Sequence, residues 1–156
     1  MVLLFYAILT ILIASSRFIG KKWLPGYFLG GLIFGFYNEV YFESAWNYSE
    51  ILAPMIWQDV PLVVILGWGG QAIFALSISD RIIDTIKPNK KFVRLIIDML
   101  VFTVINSPNE YLWSKLGVWE YNYPEQISRL GQIFSYFLLG ALILSLGRRL
   151  QSYFND

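Results

Sequence analysis

The sequence predicts an all-α fold: a polytopic membrane helical bundle of about five transmembrane helices, internally duplicated, with interfacial aromatic loops. Three observations predict it. Of the 156 residues, 56% are hydrophobic, 18% aromatic and only 15% charged, and the mean hydropathy is +0.53, too apolar for a soluble domain of one core. The apolar residues form long runs with no Gly/Ser/Pro linker between them, so residues 1–156 read as a single integral membrane domain. The third observation is a repeat. Asn38-Glu39 is followed by Trp46-Asn47-Tyr48, and Asn109-Glu110 by Trp119-Glu120-Tyr121, with two extra residues between the anchors in the second copy. The order apolar run, Asn-Glu, Trp-x-Tyr, polar loop, apolar run occurs twice, which reads as duplication. Repeat 1 covers residues 23–80 and repeat 2 residues 88–150.

The elements follow in order. Residues 1–16 are almost wholly apolar and precede Arg17, Lys21 and Lys22. A cleavable signal would carry its positive charge in front, so a retained first helix is expected over 1–22. Pro25 suits a helix start, and residues 26–42 make the second span. Its Gly31-x-x-x-Gly35 face reads as close packing within the monomer. Residues 43–59, aromatic and acidic, suit an interfacial loop or a shallow re-entrant turn. Residues 61–78 form the third span, in which Trp68 stands among Gly67, Gly69 and Gly70. A charged turn over 80–91 is broken at Lys87-Pro88-Asn89, the fourth span covers 92–108, and the fifth covers 130–146 and is closed by Arg148-Arg149.

Basic residues set the orientation. Ten of the twelve Lys and Arg fall on one side of this five-span arrangement, leaving only Lys115 and Arg129 for the other. The positive-inside rule then predicts a multi-pass protein of the cell membrane with its N-terminus outside and its C-terminus cytoplasmic. Both motifs lie at the outer face. The copies share one orientation, which implies a pseudo-twofold axis along the membrane normal and a site between the copies.

Two residue types are absent. Without Cys there is no disulfide, thiolate nucleophile or iron–sulfur cluster, and without His there is no imidazole base and no Ser-His-Asp triad. Asp-Asp-x-x-Asp diphosphate motifs and Gly-rich nucleotide loops are missing, and a net charge of +1 gives no basic excess for nucleic acid. No metal and no organic cofactor are implied, and proton chemistry would fall to carboxyl groups.

The candidate acids are Glu39, Glu110 and Asp98. Glu39 lies near the outer end of the second span, with Glu43 one helical turn on. Two partly desolvated acids raise each other's proton affinity, so one can stay protonated as a general acid; the plainer reading has Glu39 snorkelling to the surface. Asp98 lies seven residues into the fourth span. An intramembrane acid is a functional candidate by default, but Arg94, four residues earlier, offers a structural ion pair instead. Asn106, Ser107, Pro108, Asn109 and Glu110 give that span a polar end, where proline frees a carbonyl. Asn38, Asn106 and Asn109 are candidate substrate-binding residues, as are Trp46, Tyr48, Trp68, Trp119 and Tyr121, whose π faces attract a carbocation-like intermediate.

At these positions the sequence resembles the membrane carotenoid-modifying proteins, the carotenoid hydratases and small-subunit type lycopene cyclases. In that group an intramembrane Glu precedes an aromatic-x-Tyr element, a Pro-Leu start and a Trp in the next helix, and a later acid precedes Gly-x-Trp-x-aromatic. The matching positions are Glu39, Trp46, Tyr48, Pro61-Leu62 and Trp68, then Gly117, Trp119 and Tyr121, within residues 30–125. The family's later acid stands just before a Pro, whereas this chain has Ser107-Pro108, with Asp98 earlier and Glu110 later. The second acid therefore remains open between the two. The resemblance implies acid-catalysed cyclisation, isomerisation or hydration of an apolar isoprenoid or terpenoid membrane lipid, with Glu39 as proton donor. The alternative is a non-catalytic subunit that binds a small ligand or assembles a membrane complex, its acids and asparagines tying helices together.

Overall fold

The computed structural model describes residues 24–52 and 54–155, so the expected first helix over 1–22 lies outside the described residues. Among the described residues four helices carry the fold: α1 (Pro25–Tyr41), α2 (Leu62–Ile86), α3 (Lys91–Lys115) and α4 (Glu125–Asn155). Four short strands lie between them: β1 (Trp46–Tyr48), β2 (Met55–Trp57), β3 (Val60–Pro61) and β4 (Trp119–Tyr121). Among the described residues three helices, α2, α3 and α4, are long and apolar enough to cross a membrane. The expectation of about five spans is met in part by these three helices, the first expected span lying outside the described residues. α1 has 17 residues, which at a rise of about 1.5 Å per residue is shorter than a bilayer core of about 30 Å.

The long helices outrun their apolar stretches. α2 continues from 78 to Ile86 because Ser79 and Asp80 find partners across the bundle, and it stops at Lys87, which takes a left-handed conformation (φ 50°) ahead of Pro88. α3 passes through Pro108, expected to end it, and closes only at Gly117. There the φ of +70° suits glycine, and the amides of residues 116–118 bond back to Leu112, Ser114 and Trp113. This turn sends the chain into β4.

The helices stand as a square. α1 packs on α2 and α4, α3 packs on α4 and α2, and α2 touches α4 across the diagonal. Glycines close the seams around α1. A β-carbon at Gly31 would lie 2.7 Å from Ala72 Cβ and 2.8 Å from Gly69 Cα, and one at Gly30 would lie 2.8 Å from Gly147 Cα. The Gly31/Gly35 face is therefore used within the chain. The core gathers Trp68, Leu76, Phe102, Tyr136, Ile143 and Leu144, while the outer faces of α3 and α4 stay apolar, with Val104 69% and Leu130 71% exposed. Helices apolar outside as well as inside suit a lipid surround.

Over one end of the square β1 and β4 form an antiparallel ribbon, pairing Trp46 with Tyr121, Asn47 with Glu120 and Tyr48 with Trp119. Ser49 N donates to Val118 O and Asn122 N to Ala45 O, each at 3.0 Å, extending the ladder evenly at both ends. The register is centred on Asn47 and Glu120, so a local twofold rotation exchanges the two Trp-x-Tyr segments.

Candidate functional site

Under the ribbon lies a cavity of about 310 Å³. Its chemistry comes from two carboxyl groups. Glu39, in the last turn of α1, is 3% exposed. One of its oxygens accepts from Trp46 Nε1 at 3.1 Å and from the Tyr48 hydroxyl, and the other accepts from Trp68 Nε1 at 2.6 Å. Glu110, on α3, accepts at Oε1 from Trp119 Nε1 and Gln132 Nε2, both at 2.7 Å, and the Tyr121 hydroxyl shares its one proton between this oxygen at 3.2 Å and Gln132 Oε1 at 2.8 Å. Its Oε2 accepts from the Tyr136 hydroxyl at 2.7 Å. Each acid thus meets the Trp and Tyr of its own strand and an aromatic donor from the following helix.

Two ring contacts join these sets. Tyr48 meets Trp119 edge-on at 5.9 Å between centroids, and Trp68 meets Tyr136 at 5.9 Å. Phe102 stacks on Trp68 at 6.1 Å and supports both from below. Burial pushes the Tyr48 phenol well above its ordinary range, and the nearby Glu39 carboxylate adds to the effect. Tyr121 is pushed up to about 12, first by burial and then by Glu110. Both phenols therefore keep their protons, Tyr48 as a donor to Glu39 and Tyr121 as a donor shared between Gln132 and Glu110.

Both motif acids, Asn38 and Asn109 beside them, the two Trp-x-Tyr pairs and Trp68 all line this one cavity. Two expected site residues do not. Asp98, a candidate partner acid, is 2% exposed in a separate cluster. It accepts from Ser79 and from Arg148 Nη1 and Nη2 at 2.5 and 2.8 Å, while Arg148 Nε reaches Asp80 at 2.8 Å. Tyr27 donates to the same Asp80 at 2.5 Å. The pairing of Asp98 with Arg94 is also corrected, since Arg94 is exposed while Asp98 turns inward. Asn106, expected to bind substrate, is 1% exposed and donates to Phe102 O at 2.8 Å. It is a core residue that does not line the cavity, because α3 continues through Pro108 and carries it one turn below Glu110.

Gln132 and Tyr136 were not singled out by the sequence reading. Their signal was a polar and a phenolic residue one helical turn apart in the last apolar run, placed after the second motif as Trp68 is after the first. Compared with protein-family models, curated proteins and solved structures, the chain matches none.

Proposed function

We propose that this protein catalyses acid-driven cyclisation, isomerisation or hydration of an apolar isoprenoid lipid within the cell membrane. One observation carries the reading: a buried and a half-buried carboxyl group face a single cavity walled by indole and phenol rings. The resemblance to carotenoid-modifying proteins supports the substrate class, and the exposed apolar faces of α3 and α4 support a lipid setting. The partition of basic residues supports a multi-pass arrangement with the N-terminus outside and the ribbon at the outer face. The matched registers and donor sets support an internal duplication.

The partners divide the roles. Indole N–H groups only donate, so once Glu39 is protonated only Tyr48 among its bonded neighbours can accept its O–H. That proton is otherwise free to point into the cavity. Glu110 has several neighbours able to accept as well as donate, and its four donors suit a carboxylate that takes a proton up. Glu39 adds its proton to one carbon of a double bond, the π pair becomes the new C–H bond, and the O–H pair stays on Glu39 as carboxylate charge. The cation left on the neighbouring carbon faces the rings, which attract it. It is quenched in one of two ways: a carbon beside the cation, before or after ring closure, loses a proton to Glu110, or water adds and gives Glu110 its proton. The cycle closes when Glu39 regains a proton and Glu110 releases one.

The test uses protein reconstituted in phosphatidylcholine vesicles with acyclic isoprenoid polyenes in D2O. The product should carry one carbon-bound deuterium, and Glu39→Gln should lose conversion while keeping its thermal stability. Product formed without deuterium, or unchanged conversion by a stable Glu39→Gln variant, would sink the proposal. A second reading has its own support: three donors on one acid and four on the other also suit a carboxyl clamp that holds a non-catalytic ligand-binding or assembly subunit together. A clamp predicts that Glu39→Gln lowers stability instead of abolishing chemistry.

A further inference from the structure

The two sides of the cavity are built alike but not closed alike. Val63 stands five residues before Trp68, and Gly131 five residues before Tyr136. Both line the cavity. Val63 is 6% exposed and stops its side. Gly131 is exposed, and a β-carbon built on it meets nothing within 4 Å among the described residues. Phe42 and Tyr123 also border the cavity and face outward, but each fills its place with a ring, whereas Gly131 leaves its place without a side chain.

The surroundings of Gly131 say what the opening faces. Leu130, Ile133 and Phe134, its neighbours on α4, are exposed apolar side chains, which suit lipid and not water. Gln132, next in the chain, donates to Glu110. A molecule entering past Gly131 therefore meets the Glu110 side first, and Glu39, held by Trp68, lies on the other side of the cavity. A volume of about 310 Å³ is at the small end of ligand pockets, so it encloses only one end of a long lipid.

We propose that Gly131 is the lateral gate of the cavity: an apolar chain enters end-on from the bilayer past Gly131, passes Glu110 and places its terminal group at Glu39. This rests on the reading of the cavity as an isoprenoid site, and it names which part of the lipid is handled and by which route it arrives. Glycine at this position keeps the opening wide, because a longer side chain would stand in it.

The experiment reads binding and not turnover, so its outcome is separate from whether Glu39 delivers a proton. The probe is a linear isoprenoid hydrocarbon with a terminal diazirine, photolysed with the protein in phosphatidylcholine vesicles, and adducts are mapped by peptide mass spectrometry. Wild type should show adducts on cavity residues such as Glu39 and Trp68, and also on the lipid-facing stretch around Leu100 and Val104. In Gly131→Leu the cavity adducts should fall about tenfold or more relative to the outer ones, and in Gly131→Ala by less. The outer adducts and the thermal midpoint report that the variant is folded. Because the chain has no cysteine, Gly131→Cys alkylated after folding gives the same block should the leucine variant misfold. Cavity adducts undiminished by leucine and by the alkylated thiol, or no cavity adducts in wild type, would overturn the gate.

Discussion

Replacing Arg148 by Met should be among the most damaging single changes away from the cavity. The guanidinium makes two bonds to Asp98, at 2.5 and 2.8 Å, and one to Asp80 at 2.8 Å. The Asp98 side chain is 3% exposed, so without arginine it keeps Ser79 alone among the described residues and cannot reach water. Breaking one half of such a buried pair costs about 3–5 kcal/mol. Asp80 is 23% exposed and is rehydrated, so its arm adds only about 0–1 kcal/mol. A total near 4 kcal/mol follows for Arg148→Met. Asp98→Asn should cost less, about 1–3 kcal/mol, because Arg148 retains Asp80 and is itself 29% exposed. Arg94→Met, at an exposed position, should stay within about 0.5 kcal/mol. Equilibrium unfolding in detergent micelles measures all three. The decisive comparison is the double variant: adding Asp98→Asn to Arg148→Met removes the stranded charge and should recover stability. If Arg148→Met costs less than about 1 kcal/mol, or if the second change makes the first worse, the cluster is not held as described.

Two further predictions follow from the ribbon end. Tyr121 has its phenol pushed up to about 12 from an ordinary 10.0, so between those values the folded protein keeps a proton that the unfolded chain loses. Its contribution is complete below pH 10 and disappears as the pH climbs through about 12. The thermal midpoint should fall across that window, and Tyr121→Phe should flatten part of the fall; parallel curves for the two proteins would refute the assignment. For topology, reporter fusions after Ser49 and after Gln126 should read the outside, and fusions after Asn89 and Asp156 the cytoplasm. An inside signal after either motif would reverse the proposed orientation of the ribbon.

The parts of the site legible in the sequence share a property: they are polar or aromatic residues at the ends of apolar runs, and they recur in the same order. Glu39, Glu110 and the two Trp-x-Tyr pairs could be found because two copies filter out the aromatic belts that most membrane proteins carry. Trp68 could be found because glycines around a large ring mark a close approach. The misreadings share the opposite property. Arg94 was offered to Asp98 by helical spacing, the only geometry a sequence supplies directly, whereas the true partner Arg148 arrives from another helix. Hydropathy also ended that helix too early, since Arg148-Arg149 looks like a terminal signal. A half-buried arginine with two carboxyl partners lets the helix continue instead.

Pro108 misled in the same direction. Loss of one amide looks like an end to the span, yet α3 runs on to Lys115 and makes the second acid a helical residue one turn above Asn106. That continuation settles which acid shares the cavity. Had α3 stopped at Pro108, Glu110 would have lain in the loop and Asp98 would have been the only intramembrane acid of the second half. With the helix intact, Glu110 falls under β4 as Glu39 falls under β1, within reach of Tyr136. The two extra residues of the second copy are taken up by the longer helix and the Gly117 turn, and the strands still meet in a centred register. The surroundings of the two acids differ at three places: Trp68 stands against Tyr136, Val63 against Gly131 and Val64 against Gln132. Those exchanges give the two carboxyls unequal partners, as the proposed division into one proton donor and one proton acceptor requires.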